Sequence, residues 1–209
     1  MPTLEKTLSE LYRLFKLLNK HFYGGKLQQP VLVVQSKGKH KNALGWCTTQ
    51  KIWRDNGNDA GGKAEFYEIS ISAEFLHLPV EEIIDTLLHE MVHLFNLQEG
   101  VQDCSRGNTY HNKFFRDTAA ARGLNCKHVP KYGWAMTSLT EDTKKLITSI
   151  AVDDDAFRLV RAETYKPGAG GERKGNSKKY SCPACSQTVR ATKTVAVLCG
   201  LCMLPMVEN

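Results

Sequence analysis

The sequence predicts an α+β protein: an N-terminal helix, a small three-stranded sheet and two further helices, followed by a small cysteine-bearing module. Three observations carry this. Leu4, Leu8, Leu11, Phe15 and Leu18 recur at helical spacing. Three β-type runs follow at 31–36, 43–53 and 65–72. From Ile83 to Phe95 apolar residues then fill most positions, as in a helix buried on several sides.

Taken in order, the first twenty residues form an amphipathic helix whose apolar stripe packs into a core. Residues 55–62 are a turn, and the run after it alternates Phe66, Glu68 and Ser70 with Tyr67, Ile69 and Ile71. Ile83, Ile84, Leu87, Leu88, Met91, Val92, Leu94 and Phe95 then make the buried helix. A second helix opens at Tyr110 and runs through Ala119, Ala120 and Ala121 to a stop at Gly123, with Asn108 or Thr109 as N-cap. Beyond Trp134, Thr140 gives the polar start of a short helix, and Asp153, Asp154 and Asp155 read as a cap or a solvated acidic cluster. The alternating ligands and glycine of a calcium loop are missing there. Residues 166–179 have the glycine- and lysine-rich composition of a flexible linker. The expected segments are therefore 1–135, an extension at 136–165, the linker 166–179 and a terminal module at 180–209.

A chain of 209 residues that is 42% hydrophobic supports one or two domains with a core. No apolar run approaches the roughly 20 residues needed to span a bilayer, and the N-terminus lacks a basic start followed by an apolar block. No membrane association and a cytoplasmic location are the expectation.

The chemistry concentrates at His89-Glu90-Met91-Val92-His93. Four residues along a helix return to nearly the same face, so His89 and His93 lie one turn apart and can share a metal. Glu90 sits beside the pair, where a carboxylate can take a proton from water that zinc has acidified to a pKa of roughly 7. The metzincin extension needs glycine at 96 and histidine at 99, but the chain has Asn96 and Glu99. For a third ligand His111 is the better candidate, from the first turn of the second helix. His128 and Asp103 are substitutes, and Glu99 a weaker one.

Four ordered segments extend the pattern: Phe22-Tyr23-Gly24-Gly25-Lys26-Leu27, Ala43-Leu44-Gly45-Trp46-Cys47, the histidine helix, and Tyr110-His111-Asn112-Lys113-Phe114. Over roughly residues 4 to 135 the chain resembles the SprT-like, Spartan-related family of minimal zinc metalloproteases. The resemblance implies a minimal zincin-like metalloprotease domain and gives the third-ligand role to His111, although Tyr110 and Asn112 stand where that family carries glycines. It also implies protein substrates that are bound or crosslinked to DNA. In zincins an extended substrate pairs with an edge strand and lies across the metal. A second electrophilic donor is sought among Tyr110, His128 and Tyr132.

In the terminal module, Cys182-Pro183-Ala184-Cys185 and Cys199-Gly200-Leu201-Cys202 flank a strand-like stretch at 188–198. Two such knuckles have the spacing of a four-thiolate zinc ribbon, and a reducing compartment disfavours disulfides. Two Zn²⁺ are therefore expected, one catalytic and one structural. A cytidine-deaminase site fails, since its His-x-Glu and Pro-Cys-x-x-Cys are absent. Cys47, Cys104 and Cys126 show no ligand spacing and read as inert thiols.

The formal charge is +6, and between Lys166 and Lys193 seven Lys or Arg face only Glu172. A basic linker running into a ribbon suits a phosphate backbone, although Tyr180 is the only aromatic there. The rest of the chain is close to neutral overall. The expectation is a zinc metalloendopeptidase recruited to DNA by its linker and ribbon. The alternative is a non-enzymatic zinc-binding nucleic-acid or transcription-associated factor.

Overall fold

The computed structural model describes residues 1–38, 43–57, 64–162 and 177–209, which group into two units, Met1–Glu163 and Thr164–Asn209. Most of the expected linker, 166–176, lies outside the described residues.

In the first unit, helix α1 (Leu4–Tyr23) begins where Thr3 accepts the Lys6 N–H and ends at Gly24, whose φ of +62° suits glycine. Of the predicted stripe, Leu11, Phe15 and Leu18 are buried, joined by Leu14, whereas Leu8 is half-buried and Leu4, at the first turn, is exposed. Strand β1 (Val31–Gln35), β2 (Gly45–Cys47), β3 (Trp53–Arg54), β4 (Glu65–Phe66) and β5 (Glu68–Ser72) follow. They form a three-stranded sheet in the order β1-β5-β2, with β1 parallel and β2 antiparallel to the central β5, and a separate β3-β4 pair.

The single strand expected at 43–53 is thus two strands. Its partner changes at Thr48, whose N–H reaches the Glu68 carbonyl while Ile52 already pairs with Phe66. The alternation in β5 sends Ile69 and Ile71 into the core. Glu68 and Ser70 are buried too, because Gln35, Ser70 and the Trp53 indole donate to the Glu68 carboxylate.

Helix α2 (Val80–Gln98) runs through the middle of the unit, packed on β2, β5 and α1, and also on a second sheet. This explains why Ile83, Ile84, Leu87, Leu88, Met91, Val92 and Leu94 are all buried. The second sheet contains β6 (Cys104–Ser105), β7 (Tyr110–His111), β8 (Leu124–Val129) and β9 (Gly133–Leu139), in the order β6-β7-β9-β8, with helix α3 (Lys113–Ala120) against it. None of these strands is expected from the sequence, since their polar residues break any apolar alternation.

The helix expected to open at Tyr110 starts later. Asn112, not Asn108 or Thr109, is its N-cap, accepting from the Phe114 N–H at 2.7 Å, so His111 lies on β7 before the first turn. Helix α4 (Glu141–Ser149) is capped by Thr140, and Asp153 caps the short 3-10 turn Asp154–Phe157. Leu139, Ile147, Ala156 and Phe157 join the same core as α1 and α2, so residues 136–162 are structurally continuous with the first unit.

The second unit is a three-stranded antiparallel sheet, β11 (Thr188–Ala191), β10 (Lys178–Ser181) and β12 (Val207–Glu208) in that order. The strand expected at 188–198 ends at Ala191. A small core of Tyr180, Cys182, Cys199 and Met206 holds it together. Among the described residues no helix is long and apolar enough to cross a membrane.

Candidate metal centre

Helix α2 presents His89 and His93 one turn apart, and β7 brings His111 up to them. The Nε2 atoms of His89 and His93 each lie 3.1 Å from Nε2 of His111. Three imidazole nitrogens that converge this closely can hold a cation between their lone pairs. A tetrahedral zinc with bonds of about 2.0–2.1 Å asks for nitrogens about 3.3 Å apart, close to what is found. Phe115 of α3, fully buried, forms the floor, its ring 4.6, 4.7 and 4.6 Å from the rings of His89, His93 and His111.

The outer nitrogens are held unequally. His93 Nδ1 meets the Asp103 carboxylate at 2.8 Å, and that carboxylate also accepts from Asn96 at 2.9 Å, whose own carbonyl accepts from Thr118. His89 Nδ1 contacts the Thr137 hydroxyl at 3.2 Å, and Thr137 donates to Asp85 at 2.9 Å. Nδ1 of His111 is buried and, among the described residues, has no well-formed hydrogen bond, with only the Tyr132 backbone near enough to act on the ring. Asp103 therefore stands behind His93 rather than among the inner ligand atoms, which answers the sequence question of its role in geometric terms. A grouping of His93, Asp103 and Cys104 also lies within ligand distance, but there Asp103 already occupies His93 Nδ1. His128 is exposed and hydrogen-bonded to the Tyr110 hydroxyl at 3.3 Å, and Glu99 caps the end of α2.

Electrostatics favour a cation in this place. Burial and the neighbouring imidazoles push His89 well below its ordinary value, and burial lowers His111 to about 4, so both keep their lone pairs. Burial opposes charge on His93 as well, but the hydrogen bond to Asp103 overcomes it and lifts the group to about 10. Asp103 is held below its usual range by His93 and Asn96 against the same burial. A carboxylate at one imidazole nitrogen thus calls for positive charge at the other, whether proton or metal.

Glu90 is buried on the β2 side of α2. Burial raises it to about 7, opposed by His93 and by the Cys47 backbone N–H. The strand comes this close because Gly45 has no side chain: a Cβ there would lie 2.8 Å from Thr86 Cγ2, 2.9 Å from the Ser70 carbonyl and 3.3 Å from Glu90 Cγ.

Asp85, Thr137, Asn96, Thr118 and Phe115 are not singled out as site residues by the sequence. Asp85 carries a usable signal, four residues before His89 on the same helix face. Thr137 carries none, because β9 itself is not recognisable there.

In the second unit Cys182, Cys185, Cys199 and Cys202 offer sulfurs all within 4.8 Å of one another, with Cys185 and Cys199 3.6 Å apart. Zn–S bonds of about 2.3 Å need sulfurs about 3.8 Å apart. The two knuckles are built alike. Ser186 and Met203 take positive φ of 58° and 54°, and their N–H groups bond back to Cys182 and Cys199 at 2.9 and 2.8 Å. Backbone N–H groups of Cys185 and Ala184 lower the Cys182 thiol to about 7.

An α+β unit with three imidazoles converging from a buried helix and an adjoining strand, a carboxylate beside them, and a four-cysteine module defines the class: a protein with two candidate metal centres. The family model for the SprT-like family matches residues 11–142, more than half of the chain, and the chain belongs to that family. Comparison with curated proteins and with solved structures gave no match.

Proposed function

We propose that the chain is a zinc-dependent endopeptidase. His89, His93 and His111 would hold the catalytic Zn²⁺, and Cys182, Cys185, Cys199 and Cys202 a structural one. When bound, the catalytic zinc supplies Lewis acidity, polarising the scissile carbonyl and acidifying water. Glu90 would accept the proton of the attacking water and return it to the leaving amine, a role open to a carboxylate buried beside the three imidazoles. An extended peptide adds to the outer edge of β2. Leu44 and Thr48 bond inward to β5, and the antiparallel alternation turns Gly45 and Cys47 toward the incoming chain. Backbone pairing of this kind reads little side-chain identity. Tyr110, His128 and Tyr132 remain the candidates for a second donor to the developing oxyanion.

The observation that carries this reading is the convergence of three imidazoles beside a buried glutamate, since a purely structural zinc site has no need of Glu90. The substrate class is proteins associated with or crosslinked to DNA, a reading that rests on the family resemblance. Recruitment through the basic residues 166–179 and the ribbon rests on their charge. A second reading, a ribbon that contacts protein, draws on its apolar tip, where Leu201 and Met203 are 79% and 74% exposed.

Cleavage of a DNA-binding protein by the zinc-loaded chain, with and without single-stranded DNA, tests the proposal. Cleavage that needs Glu90 and rises with DNA is expected. Equal inactivity of wild type and Glu90→Gln, both zinc-loaded, would move the non-enzymatic zinc-binding factor ahead.

A further inference from the structure

The near-neutral balance of the first unit hides a strong local polarity. From Cys104 to Met136 there are six Lys or Arg (Arg106, Lys113, Arg116, Arg122, Lys127, Lys131) against Asp117 alone. Among the described residues Arg106, Lys113, Lys127 and Lys131 have no carboxylate partner; Arg116 pairs with Asp117. Uncompensated cations concentrated on one segment mark an anion-facing surface rather than a structural network.

The fold interleaves these charges with aromatic rings. The Arg106 guanidinium lies 4.6 Å over the Tyr110 ring, and the Tyr110 hydroxyl meets His128 at 3.3 Å. The His128 ring packs edge-on to Trp134 at 5.2 Å, and Arg116 covers Trp134 at 4.9 Å. The result is a continuous ladder of cation, ring, ring, ring, cation. Two further aromatics, Phe114 and Tyr132, are 51% and 44% exposed, each with its neighbouring lysine over the ring at 5.5 and 5.1 Å.

We propose that this face, the ladder from Arg106 to Arg116 with Tyr132 beside it, binds single-stranded nucleic acid. Arg106, stacked on Tyr110, keeps its N–H edge for phosphate oxygens, whereas Arg116 gives Nε and one Nη to Asp117, and the exposed rings offer stacking faces that only unpaired bases can use. An acidic peptide would satisfy the charges and leave the rings without a role. Arg106 sits on the turn between β6 and β7, and Tyr110 directly precedes His111. The strand therefore passes beside the three-imidazole site, and a protein held on it is delivered to the β2 edge. That last consequence rests on the proposed peptidase activity; the binding itself does not.

The test uses the full zinc-loaded chain and fluorescence anisotropy of a labelled oligothymidylate across a salt series. Arg106→Glu with Lys131→Glu should weaken binding at least about tenfold at low salt and flatten the salt slope by about 1.4, roughly 0.7 for each phosphate no longer neutralised. Tyr132→Ala should weaken binding with the slope unchanged, because it removes a stacking face and no charge. Wild-type affinity and slope in the double variant would overturn the proposal, as would weakening confined to ribbon variants such as Lys179→Glu with Arg190→Glu. Competition by polyglutamate as effective as by unlabelled oligothymidylate would overturn it in favour of an acidic-peptide surface. The readout is binding, so a Glu90-independent absence of cleavage would defeat the peptidase reading and leave this result standing.

Discussion

Asp103 is the residue whose replacement most directly tests the reasoning about the first metal centre. Its carboxylate, with a side chain only 9% exposed, meets His93 at 2.8 Å and Asn96 at 2.9 Å. Asparagine can keep both hydrogen bonds, since its carbonyl oxygen can occupy the position of Oδ2 and accept from each. Asp103→Asn therefore removes charge and little else. Partners behind a metal-bound imidazole are typically worth 10–100-fold in affinity, about 1.4–2.7 kcal/mol. We expect Asp103→Asn near the lower figure and Asp103→Ala, which also strands Asn96 and the His93 N–H, near the upper. Zinc competition against a chromophoric chelator reads the affinity. Cobalt substitution separates the two centres, because only the ribbon gives thiolate-to-metal charge transfer. An Asp103→Ala protein that binds cobalt at the imidazole site as tightly as wild type, with an unchanged d–d spectrum, would refute the argument that this carboxylate prepares His93 for a cation.

Three further outcomes follow from the same geometry. Burial raises Asp85 to about 6 from the ordinary 3.8, so the folded protein holds its proton more tightly than the unfolded one and the group costs stability above about pH 6 and none below about pH 4. Asp85→Asn should accordingly raise the neutral-pH stability, by up to about 3 kcal/mol, with the gain vanishing in acid and with zinc affinity lowered through Thr137; a gain independent of pH in denaturant titrations would contradict this. Gly45→Ala should destabilise by about 1–3 kcal/mol and depress any Glu90-dependent cleavage further than stability explains, because the added methyl meets Thr86 and the Ser70 carbonyl; an alanine variant as stable as wild type would show that β2 can move away freely. Excess chelator should unfold residues 177–209, whose core is four side chains, and leave the first unit folded; ribbon amide resonances that stay dispersed without metal would be the contrary result.

Much of this is legible in the sequence where local pattern and tertiary role coincide. The stripe of α1 and the His89–His93 spacing on α2 are properties of a single helix, and paired cysteines make knuckles by themselves. What escapes is whatever depends on a partner elsewhere in the chain. The strands β8 and β9 carry Asn125, Lys127, Thr137 and Ser138, and only their antiparallel register makes a sheet of them. With that sheet unseen, Thr137 has no visible reason to matter, and His111 falls into a helix because Asn112, the true cap, looks like helix interior. Charge misleads for a similar reason: summing over the first unit conceals the run of cations within 104–136, three of which, Arg106, Arg116 and Lys131, lie over the rings of Tyr110, Trp134 and Tyr132.

Strand β2 is three residues long, and among the described residues it pairs on one side. An open edge is also an invitation to another copy of the same chain, the usual hazard of unpaired strands. Here the edge is too short to give a copy more than a few ladder bonds, so self-association has little to gain from it. The same brevity limits any legitimate guest. On the proposed function, a peptide docking along Gly45 to Cys47 would obtain orientation but little hold, and time spent at the site would have to be supplied by contacts made elsewhere on the molecule.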